Sequence, residues 1–374
     1  MIRLLSIQPV AERGGSDQAL VRLLASLPSD EFECHVAVPQ EPPLRAELEA
    51  AGATVHAVPM RRISTSHALG AWARYALAWP VSVVRLVRLA RRLDVDLVHT
   101  NSLHSWYGWA VAALIRRPHA WHAREIVVQS AAALRLERRL ARRATVVIAV
   151  SHAVAAQLDA ENVVVVHESV DPAVFTPTRA GRFRGQLGIP DDAPLVAAAG
   201  RIDTWKGIDV LLDAWPAVVT AVGDARLVVA GGIVQGKEAF AAELGRRAAG
   251  LPGVHWTGPR DDIADLLADS DAVAVPSTEP EPYGLVAVEA LASGAPVVAS
   301  DAGGIREIVD AADPGAGTLV APSDAPALAA ALVTVLQAAR PTSTARRSSR
   351  PSLRTPGADP TPSILHEAVA ARPH

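Results

Sequence analysis

Short apolar runs alternate with longer helical stretches from residue 2 to residue 339, and few folds accommodate that rhythm. A run such as 271–276 is bounded by turn signals and offers almost nothing polar to water, as a buried strand covered by helices would. Strands are expected at 2–7, 34–39, 54–59, 97–101, 119–123, 145–151 and 163–168, then at 195–200, 226–231, 254–257, 271–276, 296–300 and 318–321. Helices fit between them, including 15–27, 68–92, 105–116, 130–143, 152–160, 207–221, 236–250, 284–293, 303–311 and 323–339. The expected class is α/β, with parallel sheets built from strand–helix–strand units.

A chain of 374 residues is long for one core and comfortable for two. The expected division is 1–171 and 172–340, two Rossmann-like domains facing each other across a cleft, with a hinge near Asp171-Pro172. From Arg340 the pattern gives way to Pro, Ser, Thr and Arg, a composition poor in core-forming residues. Residues 341–374 are therefore expected to be a disordered, low-complexity tail, with room for one short helix at 363–371. Cys34 is the single cysteine, which excludes an internal disulfide framework and fits a reducing compartment. The chain opens directly on an expected strand, and no apolar run reaches spanning length, since Arg74 and Pro80 interrupt the nearest candidate. A cytoplasmic protein is expected, soluble or peripheral at the inner face of a membrane.

Charge is uneven along the chain. Residues 1–171 carry 19 Lys and Arg against 16 Asp and Glu, whereas residues 172–340 carry 12 against 21. An acidic second half is a poor nucleic-acid surface, so no nucleic-acid partner is expected.

The most informative stretch is Glu279-Pro280-Glu281-Pro282-Tyr283-Gly284-Leu285-Val286-Ala287-Val288-Glu289. Glu281 falls in a loop at the carboxyl end of an expected strand, the usual ligand crevice of open α/β sheets. Gly284 permits close approach to the backbone, and the first amides of the helix that follows, beginning at Leu285, suit an anion. Glu289 lies two turns further on. Two carboxylates around a phosphate-binding helix end suggest a nucleotide-sugar site. Upstream, Arg201 and Lys206 flank a loop after the strand 195–200. Two fixed cations there would stabilise charge developing on a departing diphosphate. Lysine occurs only twice in the chain, which gives the placement of Lys206 beside Gly207 added weight. In the first half, Gly14-Gly15-Ser16 follows a strand and opens a helix, either as an ordinary turn or as a close backbone approach to phosphate or sugar. His122 ends another strand.

These pieces occur in a recognisable order. Glu281 and Glu289, the following Ala292-Ser293-Gly294-Ala295-Pro296-Val297-Val298 and Gly303-Gly304-Ile305-Arg306-Glu307-Ile308-Val309, and the upstream Gly200-Arg201-Ile202-Asp203-Thr204-Trp205-Lys206-Gly207 together resemble the retaining glycosyltransferases of family 4, which have the GT-B fold. The resemblance covers roughly residues 1–335. It implies a hexosyl transfer from a nucleotide-sugar co-substrate, UDP- or GDP-linked, with no other cofactor and no metal. The acceptor would be a sugar or a lipid-linked molecule, in polysaccharide or cell-envelope glycan synthesis. It further implies that Glu281 orients the donor sugar and Glu289 holds the ribose, while Arg201, Lys206 and the amides at Gly284-Leu285 bind the diphosphate. His122 and the Gly14-Gly15 loop would serve the sugar and the acceptor. The family chain ends in a helix returning to the first domain, and the tail here departs from that pattern. The Asn-Gly of the family hinge is replaced by residues 167–169, His-Glu-Ser.

Several competing readings are weaker. Gly231 to Glu238 imitates a P-loop, but Glu238 stands where Ser or Thr would hold magnesium. Asp94-Val95-Asp96 and Asp269-Ser270-Asp271 imitate a metal-binding Asp-x-Asp, yet both precede strands rather than follow them. His99, His104 and His119 lack zinc-site spacing. Arginines between 74 and 92, among Trp72, Tyr75 and Trp79, and again between 135 and 143, suit either solvated helix faces or an anionic membrane. A catalytically impaired binding or assembly subunit and a GT-B sugar-nucleotide epimerase stand as alternatives to transfer.

Overall fold

A computed structural model describes residues 1–9, 15–39, 44–61, 69–128, 130–338 and 359–371. The chain divides into two compact units, one of Met1–Glu168 joined by the end of the chain from Gly357, the other of Ser169–Pro356.

In the first unit, strands β1 (Ile2–Ile7), β2 (Phe32–Val38), β3 (Ala53–Ala57), β4 (Leu97–Thr100), β5 (His119–Ala123), β6 (Val146–Ala149) and β7 (Val163–Val165) form one parallel sheet, ordered β3-β2-β1-β4-β5-β6-β7. The helices are α1 (Gly15–Ser26), α2 (Arg45–Ala50), α3 (Leu69–Arg92), α4 (Tyr107–Ile115), α5 (Ala131–Ala141) and α6 (His152–Leu158). Residues pointing to opposite sides of β1 and β4 feed two cores, one containing Leu4, Leu20, Leu24 and Leu97, the other Leu5, Leu86, Val98 and Tyr107. Ser151 caps α6 as its position suggests, accepting the Val154 amide at 3.0 Å.

The second unit repeats the plan. Strands β8 (Leu195–Ala199), β9 (Arg226–Ala230), β10 (Val254–Gly258), β11 (Ala272–Val275), β12 (Val297–Ser300) and β13 (Gly317–Val320) are parallel, ordered β10-β9-β8-β11-β12-β13. Helices α7 (Ile208–Val222), α8 (Glu238–Ala249), α9 (Ile263–Asp269), α10 (Leu285–Ala292), α11 (Ile305–Ala311) and α12 (Ala325–Ala338) cover the sheet. Trp215, Leu211, Leu227 and Leu332 fill the core on one side. The Trp215 indole N–H meets the Pro252 carbonyl at 2.8 Å, so its burial leaves no orphaned donor. In both sheets the chain winds outward one way and then reverses, between β1 and β4 and again between β8 and β11. Loops leaving the carboxyl ends of strands on either side of such a reversal diverge and open a crevice.

Within the expected tail, one short helix is described. Residues Thr361–Ala370 form a helix, α13, that packs on the first unit. Leu365 is fully buried and Ala368 nearly so, within the core of Leu4, Leu20 and Leu97. His366 stacks edge-on against Phe32 and meets Glu31 at 2.6 Å. This is close to the short helix expected at 363–371, and it returns to the first unit as the family pattern would have it. The remainder of the expected tail, 341–358 and 372–374, lies outside the described residues.

Both Asp-x-Asp segments act structurally. Asp269 accepts the amides of Phe183 and Arg184, and Asp271 pairs with the buried Arg184 guanidinium at 2.8 Å. Asp94 and Asp96 engage Arg3 and Arg117. Glu238 accepts the Gly236 amide at 3.0 Å, and Lys237 reaches Thr204 rather than its own loop.

Candidate functional site

Two loops on opposite sides of the β8/β11 reversal meet in the second unit. The first leaves β8 at Gly200 and ends at Gly207; the second leaves β11 at Pro276 and ends at Gly284, which opens α10. Their contact is close because glycines remove the obstacles. Gly207 has φ +67°, and a Cβ there would lie 1.9 Å from the Pro276 carbonyl oxygen. The Thr278 amide donates to the Trp205 carbonyl at 2.8 Å. At the end of β9, a Cβ on Gly231 would fall 1.6 Å from the Gly200 oxygen, which clamps a third strand end to the same place.

The side chains inside this frame pair directly. Lys206 Nζ lies 2.6 Å from Glu281 Oε1 and 4.1 Å from the centre of the Trp205 ring. Ser277 Oγ donates to the same carboxylate oxygen at 2.6 Å. Glu281 is buried, and its backbone is fixed from both sides, its amide donating to Ala302 and its carbonyl accepting from Gly304 at 2.8 Å. Gly303, at φ +76°, makes that possible, since a Cβ would meet the Glu281 oxygen at 2.2 Å. Trp205 is steadied in turn by its indole N–H donating to Asp203 at 3.1 Å. The result is a cation and a carboxylate held rigidly at the carboxyl edge of the sheet, with an aromatic face beside the cation.

Arg201 is exposed on the same first loop. Gly284, at φ +109°, begins α10 without a side chain to cap it, and Leu285 is the helix's first residue. Glu289 sits half-buried in the second turn. The fold therefore brings Arg201, Lys206, Glu281, Gly284 and Leu285 to one edge. Asp203, Trp205 and Ser277 were given no role by sequence reasoning; Asp203 and Trp205 stood only within the motif Gly200–Gly207, and Ser277 only by its place in the second loop.

The first unit holds a second cluster. His122 ends β5, buried, with its Nδ1 3.4 Å from His99 Nε2; His99 Nδ1 lies 2.8 Å from Ser6 Oγ. His119 Nε2 is 2.8 Å from Thr100 Oγ1. Burial, then the Arg124 charge, drives His99 down to about 3 and holds His122 well below the ordinary imidazole range. Burial alone takes His119 to about 3. These rings are neutral at physiological pH and act as hydrogen-bonding groups. Beside them, buried Arg124 donates to Asn101 at 2.8 Å and pairs with Glu168, one of the residues replacing the family's Asn-Gly. Gly15 opens α1 and is exposed, while Asp17 in the first turn is buried and accepts from Gln8 at 2.7 Å. Gly14 lies outside the described residues.

Comparison with known proteins gives this geometry a context. Residues 13–174 match the family model described as Glycosyltransferase Family 4, and residues 193–338 match the one described as Glycosyl transferases group 1. A D-inositol 3-phosphate glycosyltransferase of Xylanimonas cellulosilytica is 41% identical over 163 residues, which is 40% of this chain and 38% of that one. Its namesake from a Nocardioides species is 33% identical over 251 residues, 57% of this chain and 54% of that one. The chain thus spans about half or less of the curated relatives it matches. Anabaena HepE, crystallised with UDP and glucose, superimposes with a TM-score of 0.76 at 25% identity, covering 99% of this chain and 96% of that chain.

Proposed function

Because the chain belongs to the family 4 glycosyltransferases, with the GT-B fold, we propose that it transfers a sugar from a nucleotide-sugar donor to an acceptor, with retention of configuration. The observation that carries this reading is the Lys206–Glu281 pair at the β8/β11 reversal, 2.6 Å apart and locked by Gly207 and Gly303. A diphosphate seated at that edge would meet Lys206, Arg201 and the first turn of α10. As the bond to the sugar breaks, negative charge gathers on the phosphate, and pre-placed cations stabilise it more than they stabilise the bound donor. Glu281 orients the hexose through its hydroxyls, and Glu289 holds the ribose. The family resemblance gives His122, which is neutral and buried in the first unit, and the Gly14-Gly15 loop their roles toward sugar and acceptor. The departing phosphate takes the acceptor's proton on the face it leaves, so no protein nucleophile is needed. Lys206 and Arg201 supply the positive charge, so the proposed reaction requires no metal and a chelator leaves turnover unchanged.

The UDP and glucose bound by Anabaena HepE favour a UDP-sugar as the donor to try first, with a GDP-sugar next. The name of the curated relatives makes an inositol phosphate the first soluble acceptor to offer. A lipid-linked acceptor and a role in cell-envelope glycan synthesis at the inner membrane face belong to the same proposal. Among the described residues, no helix is long and apolar enough to cross a membrane. The test is release of nucleoside diphosphate from a panel of donors, with inositol phosphate or a membrane extract as acceptor. We expect release with one donor and loss of about 100-fold or more in Glu281→Gln. Undiminished release in that variant overturns the assignment, and donor binding without any release favours an impaired binding subunit.

A further inference from the structure

A cavity on the first unit lies apart from the residues assigned to the donor. It has a volume of about 580 Å³ and lies among α3, α4 and α5, lined by Trp79, Trp106, Trp109, Leu136, Arg139 and Arg143. Its walls are indole and leucine and its charged groups are both guanidinium. An occupant matched to it has an apolar body and an anionic head.

The two arginines are the informative members. On α5, Arg138 donates to the Gln157 carbonyl and Arg142 pairs with Asp159, so each of them has work in the fold. Glu137, the one carboxylate of that helix, is buried against His104 at 3.1 Å. Arg139 and Arg143 meet no carboxylate among the described residues, Arg143 donating only to the Arg139 carbonyl at 3.4 Å, and they stand four positions apart, where like charges repel. The end of α5 tolerates positive charge, yet that tendency does not place both guanidiniums on a cavity of tryptophans. A phosphate between them would relieve the repulsion and accept from both forks.

The indole and leucine walls point to an amphiphile rather than a soluble phosphate, and on the face turned away from the cavity α3 carries a separate apolar stripe. That helix contains no Asp or Glu, and its face opposite Trp79 exposes Leu77, Val81 and Val84 (78%, 52% and 47%) among Arg74, Arg85 and Arg88. An exposed apolar stripe rimmed by arginine suits the headgroup boundary of an anionic leaflet. We propose that the cavity binds one anionic lipid, its phosphate between Arg139 and Arg143 and its first methylenes against the tryptophans.

Decyl phosphate, titrated below its aggregation threshold and followed by calorimetry and tryptophan fluorescence, tests this on the full chain without any nucleotide sugar. A failure here leaves the transferase reading standing. Saturable binding with a blue shift is expected, absent with inorganic phosphate and with neutral decyl maltoside. Arg139→Ser combined with Arg143→Ser should weaken it about tenfold or more, and Leu136→Ser, at an exposed lining residue, should weaken it while leaving the melting temperature near that of the parent. Equal binding of decyl maltoside, or equal binding of phosphate alone, overturns the proposal, as does an unaffected double variant. A concentration-dependent dimer split by Trp109→Arg, with no decyl phosphate bound, assigns the face to a second copy and overturns it too.

Discussion

Lys206 shows how much of the site depends on residues that touch no ligand. Its ammonium is fixed by Glu281 and by the Trp205 ring, Trp205 is fixed by Asp203, and the whole loop approaches Pro276 only because residue 207 has no side chain. Gly207 and Gly188 make a matched pair for measuring that last effect. Both are left-handed, at φ +67° and +64°, but a Cβ on Gly207 meets a backbone oxygen at 1.9 Å whereas one on Gly188 meets nothing within 4 Å. Gly188→Ala is expected to cost about 1 kcal/mol, the strain of the left-handed backbone alone. Gly207→Ala should cost about 2–4 kcal/mol, because the two loops must also separate, and donor binding should fall with it. Equal denaturation midpoints for the two variants would show that the close approach does not hold the site. Sequence alone gave Lys206, Arg201 and Glu281 their type and loop position. It could not give Ser277, Asp203 and Trp205 their roles, because serine, aspartate and tryptophan are common in loops and only the meeting of two distant strand ends distinguishes them.

At the level of elements, the thirteen strands described lie where the apolar runs place them, most clearly the central ones such as β4 and β11, which are buried throughout; the edge strand β7 is shorter than its run. Helix α13 was much harder to read. Its apolar positions are few, Ile364, Leu365, Ala368 and Val369, and it follows a stretch of proline, serine and arginine that masks them. The histidines of β4 and β5 were visible as residues but not as a network, because their partners Ser6 and Thr100 are ordinary strand residues. That network gives the first unit an acid sensitivity. His99, His119 and His122 are depressed when folded and ordinary when unfolded, so between about 6.5 and 3 the unfolded chain binds more protons. Their contribution is complete above about pH 6.5 and is lost progressively below it. His104 runs the other way. Burial opposes its charge, but Glu137 and Glu125 raise it to about 9, so its contribution fades as the pH rises through that value. Urea denaturation read at the first unit should therefore show stability falling from pH 6.5 to pH 4.5. His119→Gln should flatten part of that slope, and a slope unchanged by removing any of the three histidines would contradict the network.

For the whole molecule, sequence and structure agree on two parallel α/β units; the structure adds that the two sheets share one winding, each reversing once, with Lys206 and Glu281 at the reversal of the second. The charge asymmetry follows the same division, since the acidic second unit gathers its lysines, Lys206 and Lys237, around one loop. A few cations on an otherwise acidic body favour a small polyanion placed at one point over a broad anionic surface. The arginine-rich helices α3 and α5 belong to the other unit. The most direct measurement is a calorimetric titration of the full chain with UDP-, GDP- and ADP-sugars, repeated with Lys206→Ala. One nucleotide sugar should bind saturably to the parent and at least about tenfold more weakly to the variant. Binding that survives the loss of Lys206 unchanged, or no binding of any nucleotide sugar by a folded parent, would contradict the account.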